Sequence, residues 1–207
     1  MIQEPVVILA NGNYPTHPVP TQKINEAGTI ICCDGAVNQL IDEGLEPYAI
    51  IGDLDSIDEN HKHKYDDRTI YLPDQNENDL RKAILWVEKE GILASTILGA
   101  TGKRDDHSLA NIFTLLQFPT QMKCTILTNY GKFTLMEGTV EFNSFRGQQV
   151  SLFSADPEIK ITSHNLKYNF NTTKLTTIYD GSLNETVDKL FTLTISHGKI
   201  LVYQVFA

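Results

Sequence analysis

Ser95-Thr-Ile-Leu-Gly-Ala-Thr-Gly-Lys-Arg-Asp-Asp-His-Ser-Leu-Ala-Asn-Ile-Phe-Thr-Leu-Leu-Gln-Phe-Pro119 changes its period partway along. The first four residues are a short apolar run closed by glycine, which reads as a buried strand. Leu109, Ile112, Phe113 and Leu116 then fall at i, i+3, i+4 and i+7, the stripe of a helix packed on a sheet, and Pro119 lies just past its end. Strand, glycine loop, helix is the repeating step of an α/β layer architecture. The same step recurs outward from it. Val6-Val-Ile-Leu-Ala, Thr29-Ile-Ile-Cys-Cys, Tyr48-Ala-Ile-Ile, Thr69-Ile-Tyr-Leu and Cys124-Thr-Ile-Leu are further apolar runs of strand length. Leu80, Ala83, Ile84 and Val87 repeat the helical stripe, and Gly91 closes it.

From Lys132 the period changes. Phe133-Thr-Leu-Met, Thr139-Val-Glu-Phe, Gln149-Val-Ser-Leu-Phe, Ile159-Lys-Ile-Thr, Leu190-Phe-Thr-Leu-Thr-Ile and Ile200-Leu-Val-Tyr-Gln-Val-Phe are β-rich stretches punctuated by Gly131, Gly138, Gly147, Gly181 and Gly198. The expected fold is α/β: an N-terminal mostly parallel sheet flanked by helices over 1–130, followed by a small all-β sandwich domain over 131–207.

At 207 residues, 41% hydrophobic and 21% charged, the chain has ordinary globular composition. It lacks an apolar run near the roughly 20 residues that span a bilayer. Residues 1–130 carry 10 Lys/Arg and 19 Asp/Glu, so they account for the whole net charge of −9; the remainder carries 7 of each. An acidic half argues against nucleic acid as a partner. It suits carboxylates gathered around a divalent cation, and equally a solubilising surface. Cys32, Cys33 and Cys124 fit neither a disulfide set nor a zinc spacing, and Met1-Ile-Gln-Glu-Pro does not resemble a signal peptide. A reducing, cytoplasmic compartment is expected.

Ligands of an open parallel sheet bind beyond the carboxyl ends of its strands. The segments just past five of the strands carry the polar groups: Asn11-Gly12-Asn13, Asp34-Gly35, Gly52-Asp-Leu-Asp-Ser56, Asp74-Gln-Asn-Glu-Asn-Asp79 and Gly99-Ala-Thr-Gly-Lys-Arg-Asp-Asp-His107. Four of these five segments contain carboxylates. Asp53 and Asp55, at i and i+2, point the same way from an extended segment and suit Mg²⁺; the competing reading is that Asp55-Ser-Ile-Asp caps a helix turn. Gly99–Arg104 offers backbone amides and a guanidinium to an anion, or is simply a helix entry capped by Asp105 or Asp106. His107 is either a general base or a neutral, hydrogen-bonded histidine. Acidic groups and an arginine loop at one sheet edge suggest chemistry on a phosphoanhydride, where positioning and charge neutralisation do most of the work.

At these residues the chain resembles the thiamine pyrophosphokinase family. Its blocks Cys-Ala-Asp-Gly-Gly, Gly-Asp-Phe-Asp-Ser-Ile, Asp-Gln-x-x-Thr-Asp and Gly-Gly-Arg-x-Asp-His are matched in order by Cys32-Cys-Asp-Gly-Ala36, Gly52-Asp-Leu-Asp-Ser-Ile57, Asp74-Gln-Asn-Glu-Asn-Asp79 and Gly102-Lys-Arg-Asp-Asp-His107. Asn165-Leu-Lys-Tyr168 and Gly181-Ser-Leu-Asn-Glu185 resemble two later blocks. The resemblance implies transfer of the pyrophosphoryl group of ATP to the hydroxyl of thiamine, with Mg²⁺ and a homodimer whose active sites are shared. It implies Asp53, Asp55 and Asp79 as metal and phosphate-handling carboxylates, supported by Asp34 and Asp74. It implies Arg104 on the polyphosphate, ordered by Asp106, and places Asn11, Gly12, Thr101, Gly102 and His107 around ATP. Gln75 would face the pyrimidine, and Ser182 and Asn184 would complete the thiamine pocket from the other subunit. Ala36, Asn78, Lys103 and Leu183 depart from the pattern, standing where it has Gly, Thr, Gly and Ser. The alternatives are a pyrophosphokinase or nucleotide hydrolase with another acceptor, and a non-catalytic nucleotide-binding module.

Overall fold

A computed structural model describes residues 1–74 and 76–207. Two compact units are present: residues 1–114 with 118–129, and residues 115–117 with 130–207.

The first unit is built on six strands: β1 (Val6–Leu9), β2 (Thr29–Cys33), β3 (Ala49–Gly52), β4 (Thr69–Tyr71), β5 (Ala94–Leu98) and β6 (Lys123–Leu127). Their order is β4-β3-β2-β1-β5-β6 and every pair is parallel. Every residue of β1, β2 and β3 is buried, as expected for strands covered on both faces. Five helices connect them: α1 (Pro18–Asn25), α2 (Ala36–Asp42), α3 (Glu59–Lys64), α4 (Asp79–Lys89) and α5 (Asp105–Gln117). The chain steps outward from β1 to β4, then crosses back to β5 beside β1, so the winding direction reverses there. With right-handed crossovers, α1 to α3 lie on one face and α4 and α5 on the other. The reversal opens a crevice at the carboxyl ends of β1 and β5.

Helix α4 forms for the expected reason. Leu80, Ala83, Ile84 and Val87 are buried on one stripe, Asn78 caps the start through its side chain, and Gly91 at φ +84° takes the left-handed position after the end. Helix α5 departs from expectation in part. Leu115 and Leu116 are buried, but Ile112 and Phe113 are half-buried and Leu109 is 59% exposed. No helix among the described residues is long and apolar enough to cross a membrane.

The second unit is all-β, with β7 (Gly131–Asn143), β8 (Gln149–Phe153), β9 (Lys160–His164), β10 (Thr173–Lys174), β11 (Asn184–Glu185) and β12 (Leu190–Val205). Where four stretches are predicted there are two long strands, because Gly138 and Gly198, both at φ +64°, sit at a register break and not at chain reversals. The break divides β12: its first half pairs with β9 and its second with β8, while β7 runs beside both. Phe142, Ile161, Phe191 and Leu193 from one half share a single core with Val150, Leu152, Ile200 and Val202 from the other. Phe142 and Phe191 stack at 5.0 Å within it.

Candidate active site

The loops after β1 and β5 are joined by backbone bonds that continue the β1–β5 pairing past the sheet. Ala10 N–H donates to Leu98, Gly12 N–H to Gly99 and Asn13 N–H to Thr101, at 2.7–2.8 Å. Any Cβ at Gly12 would meet the Gly99 and Thr101 carbonyls at 2.3 Å, so only glycine permits this approach. The Asn11 side chain is left at the mouth of a cleft that Asp53, Asn78, Asp79, Lys82 and His107 also line.

Three carboxylates converge beside it. Asp34, Asp53 and Asp55 each offer an oxygen within 4.8 Å of the others. Asp53 and Asp55 do not meet through an extended segment, because Leu54 between them is left-handed at φ +61° and buried. Asp34, at φ +43°, is also left-handed, and non-glycine residues held there tend to mark functional sites. Ser56 links two of the three: its N–H donates to Asp34 at 3.2 Å and its hydroxyl donates to Asp55 at 2.8 Å. Asp55 is thus not spent on capping; Asp58 holds the cap position of α3 and its side chain makes no capping bond. Burial raises the Asp34 carboxyl above the ordinary range, the Ser56 hydrogen bonds oppose this, and the Asp79 charge adds to it.

Asp79 stands across Gly52 from Asp34: a Cβ on Gly52 would meet Asp34 Cβ at 3.0 Å and Asp79 Cγ at 3.1 Å. Gly52 therefore lets the two carboxylates approach. Asp79 Oδ1 accepts from Lys82 Nζ at 3.0 Å, and Lys82 is only 6% exposed. Lysines are rarely buried without a charged partner, so this ammonium belongs to the site. Sequence reasoning misses it, although an i, i+3 Asp–Lys pair at a helix start was a readable signal. Asn111 is a second omission. Asn78 donates to Asn111 at 3.1 Å and Asn111 to the Ala100 carbonyl at 2.9 Å, tying the start of α4 to the β5 loop. Asn78 caps α4 through its side chain, as a threonine there could, so this departure keeps the helix cap.

Arg104 and Asp106 form a two-point ion pair at 2.6 and 3.1 Å, both exposed. The guanidinium draws the Asp106 carboxyl down to about 2. Neither Asp105 nor Asp106 is the cap of α5; Arg104 holds that position, and Ser108 Oγ takes the Gly102 N–H at 3.0 Å. His107 lines the cleft and its N–H donates to Asp106. Gly102 at φ +89° packs on the Asn13 amide, and Lys103 comes next at φ +59°. The left-handed backbone at 103 accounts for glycine in the family pattern.

Asp74 accepts from Asn76 N–H and Nδ2, both residues exposed; Gln75 lies outside the described residues. In the second unit, Asn184 is buried, accepts from the Tyr168 and Glu185 amides and donates to the Tyr168 carbonyl at 2.7 Å. Ser182 donates to Tyr179, and Leu183 is left-handed and 83% exposed.

The family model for the thiamin pyrophosphokinase catalytic domain matches residues 21–128, and that for the thiamin pyrophosphokinase substrate-binding domain matches 131–203. The chain is 32% identical over 103 residues to thiamin pyrophosphokinase 1 of Caenorhabditis elegans, covering 45% of this chain and 42% of that protein. It is 30% identical over 109 residues to thiamine pyrophosphokinase of Bacillus subtilis, covering 51% of each. The matched stretches thus span about half the length, or less, of these relatives. The fold superposes on the crystal structure of the Bacillus subtilis protein with a TM-score of 0.79, at 20% identity, over 97% of this chain and 98% of that one.

Proposed function

The chain belongs to the thiamin pyrophosphokinase family, and from that premise we propose that it is a thiamine diphosphokinase, moving the pyrophosphoryl group of ATP onto thiamine. The observation that carries the reading is the convergence of Asp34, Asp53 and Asp55 at the carboxyl edge of a parallel sheet in such a chain. An all-carboxylate donor set fits a hard divalent cation, and Mg²⁺ is the proposed one. When bound, it would neutralise phosphate charge and fix the polyphosphate.

The thiamine hydroxyl oxygen forms a bond to the β-phosphorus as the bond from that phosphorus to the α,β-bridging oxygen breaks. AMP leaves with the bridging oxygen, and the hydroxyl proton passes to solvent. The protein's share is orientation and charge. Asp53 and Asp55, with Asp34, hold the cation, and Asp79, fixed by Lys82, completes the acidic wall. Asn11, Gly12, Thr101, Gly102 and His107 frame the nucleotide. Arg104 meets the polyphosphate, ordered by Asp106. For the acceptor, Gln75 would face the pyrimidine beside Asp74, and Ser182 would offer a hydroxyl from the other subunit, where Asn184 acts by holding the Tyr168 and Glu185 backbone. The resemblance also supports a homodimer with shared active sites and a cytoplasmic enzyme.

The test is chromatography of ATP and Mg²⁺ incubated with the protein, with and without thiamine. AMP and thiamine diphosphate formed only together support the reading. AMP formed regardless of thiamine would move the chain to the hydrolases, and no turnover by folded protein would leave another acceptor or a binding module.

A further inference from the structure

Lys103 is a cation that the proposed reaction leaves without a task. It occupies a left-handed position at φ +59°, directly after Gly102 at φ +89°. Glycine would hold the same turn without a Cβ pressed on the backbone. The lysine therefore sits here at a conformational cost that glycine would not carry.

What the side chain does is specific. Lys103 Nζ donates to Asn11 Oδ1 at 2.9 Å, crossing from the β5 loop to the β1 loop. An ammonium only donates, so Asn11 must turn its carbonyl oxygen toward Lys103 and its amide group away. Asn11 Nδ2 then lies toward Gly35, 2.8 Å from where a Cβ on that glycine would sit. Lys103 thus sets the orientation of a donor at the mouth of the cleft that Asp53 and Asp79 line.

The charge balance of the loop favours Lys103 over its neighbour. Arg104, which meets the polyphosphate in the proposed reaction, brings its own counter-ion in Asp106. Among the described residues Lys103 makes no ion pair with a carboxylate; its partner is a neutral amide. Lys103 is exposed, and the part of its side chain that the loop covers lowers its pKa. A phosphate oxygen would supply the missing negative charge, and the adjoining Asn11 amide a second donor.

We infer that Lys103 and Asn11 together bind the polyphosphate of the nucleotide, with Lys103 supplying a cation that the family's glycine at this position does not. The inference rests on the nucleotide reading of the cleft under Proposed function. Lys103 is not among the residues that line the cleft and reaches it through Asn11, so the contact expected is with a polyphosphate that extends out of the cleft, and a nucleoside monophosphate should depend on it less.

The experiment is calorimetric titration of the full chain with ATP, AMP and inorganic tripolyphosphate in Mg²⁺, for the wild type, Lys103→Met, Lys103→Gly and Lys103→Arg. Lys103→Met keeps the left-handed side chain and removes the charge; Lys103→Gly removes both. Both are expected to weaken ATP and tripolyphosphate about 10-fold and AMP less than about 2-fold, and Lys103→Arg to restore most of the difference. Lys103→Gly is expected to melt at or above the wild-type temperature, separating its binding defect from any loss of fold. Wild-type affinity for ATP in Lys103→Met would overturn the inference while leaving the nucleotide reading intact. A wild type that binds neither ATP nor tripolyphosphate would sink both.

Discussion

Asp34 and Lys82 show how much the cleft costs the residues that line it. Asp34 is 4% exposed, so burial raises its carboxyl above the ordinary range. A raised folded-state value means the folded protein resists ionising this group. Stability is then greatest below the unfolded value of about 3.9 and falls as pH rises through the folded one. Asp34→Asn, which tolerates the same left-handed backbone, is expected to raise the melting temperature of metal-free protein at pH 7 and to give no gain near pH 3. Melting curves across that range check it; an equal gain at both ends would place the effect elsewhere. Lys82 acts in the opposite sense. Its ammonium offsets Asp79, whose side chain is 30% exposed and faces Asp34 across Gly52. Lys82→Met should cost about 2 kcal/mol by leaving that carboxylate unpaired. Adding Asp79→Asn should recover most of the loss in urea unfolding but not the turnover. Additive losses would mean that the two residues do not act as a pair.

Elements were legible where periodicity is strong and local. All six strands of the first unit fall on apolar runs, because burial on both faces of a parallel sheet leaves a continuous signal, and α4 falls on its stripe; α5 forms where its stripe lies but fully buries only Leu116 of the four stripe residues. Helices α1 to α3 were not read. They are 8, 7 and 6 residues long; α1 opens on Pro18 and Pro20, and α3 buries nothing, so none carries two full turns of stripe. The carboxylate cluster was legible as residues at strand ends, but the turn at Leu54 that brings Asp53 and Asp55 together was not, since nothing local announces a left-handed leucine. Lys82 was hidden by its helix, where a lysine reads as surface. The segment from Leu175 to Leu183 was equally opaque, because its start is ordered by a side chain three to four residues further on and its end by bonds to β8. Asp180 accepts from the Thr176 and Thr177 amides and both threonine hydroxyls at 2.6–2.9 Å, and these bonds hold its carboxyl below the ordinary range. That contribution is present above about pH 3.9 and is lost as pH falls through the lowered folded value. Asp180→Ala should speed amide exchange at Ser182 and Leu183 about 10-fold at neutral pH while exchange in β7 and β12 stays unchanged. Unchanged exchange at Ser182 and Leu183 would show that the turn is held by other contacts.

For the whole molecule, the decisive quantity is where the charge sits. The net −9 belongs to the first 130 residues, and three of those carboxylates lie within 4.8 Å of one another. Gathering like charges at a sheet edge destabilises the fold, and a chain selected for stability alone would disperse them. A divalent cation reverses that penalty at the point where it is concentrated, so binding and folding are linked. At about 10 mM Mg²⁺, a site of about 1 mM affinity would add about 1.4 kcal/mol, or roughly 3–6 °C for a chain of this length. Sodium chloride at matched ionic strength screens all the surface charges but binds none of them in particular, so it should give a smaller shift. Asp55→Asn separates the two effects. It removes one charge and one donor from the cluster, so it should melt near the wild-type temperature without Mg²⁺. It should lose the Mg²⁺-specific increment and reduce turnover at least about 10²-fold. Scanning calorimetry of both proteins in Mg²⁺ and in matched salt makes the comparison. An increment of the same size in Asp55→Asn would mean that Mg²⁺ acts on the acidic half as a screening ion and that the cluster is not its site.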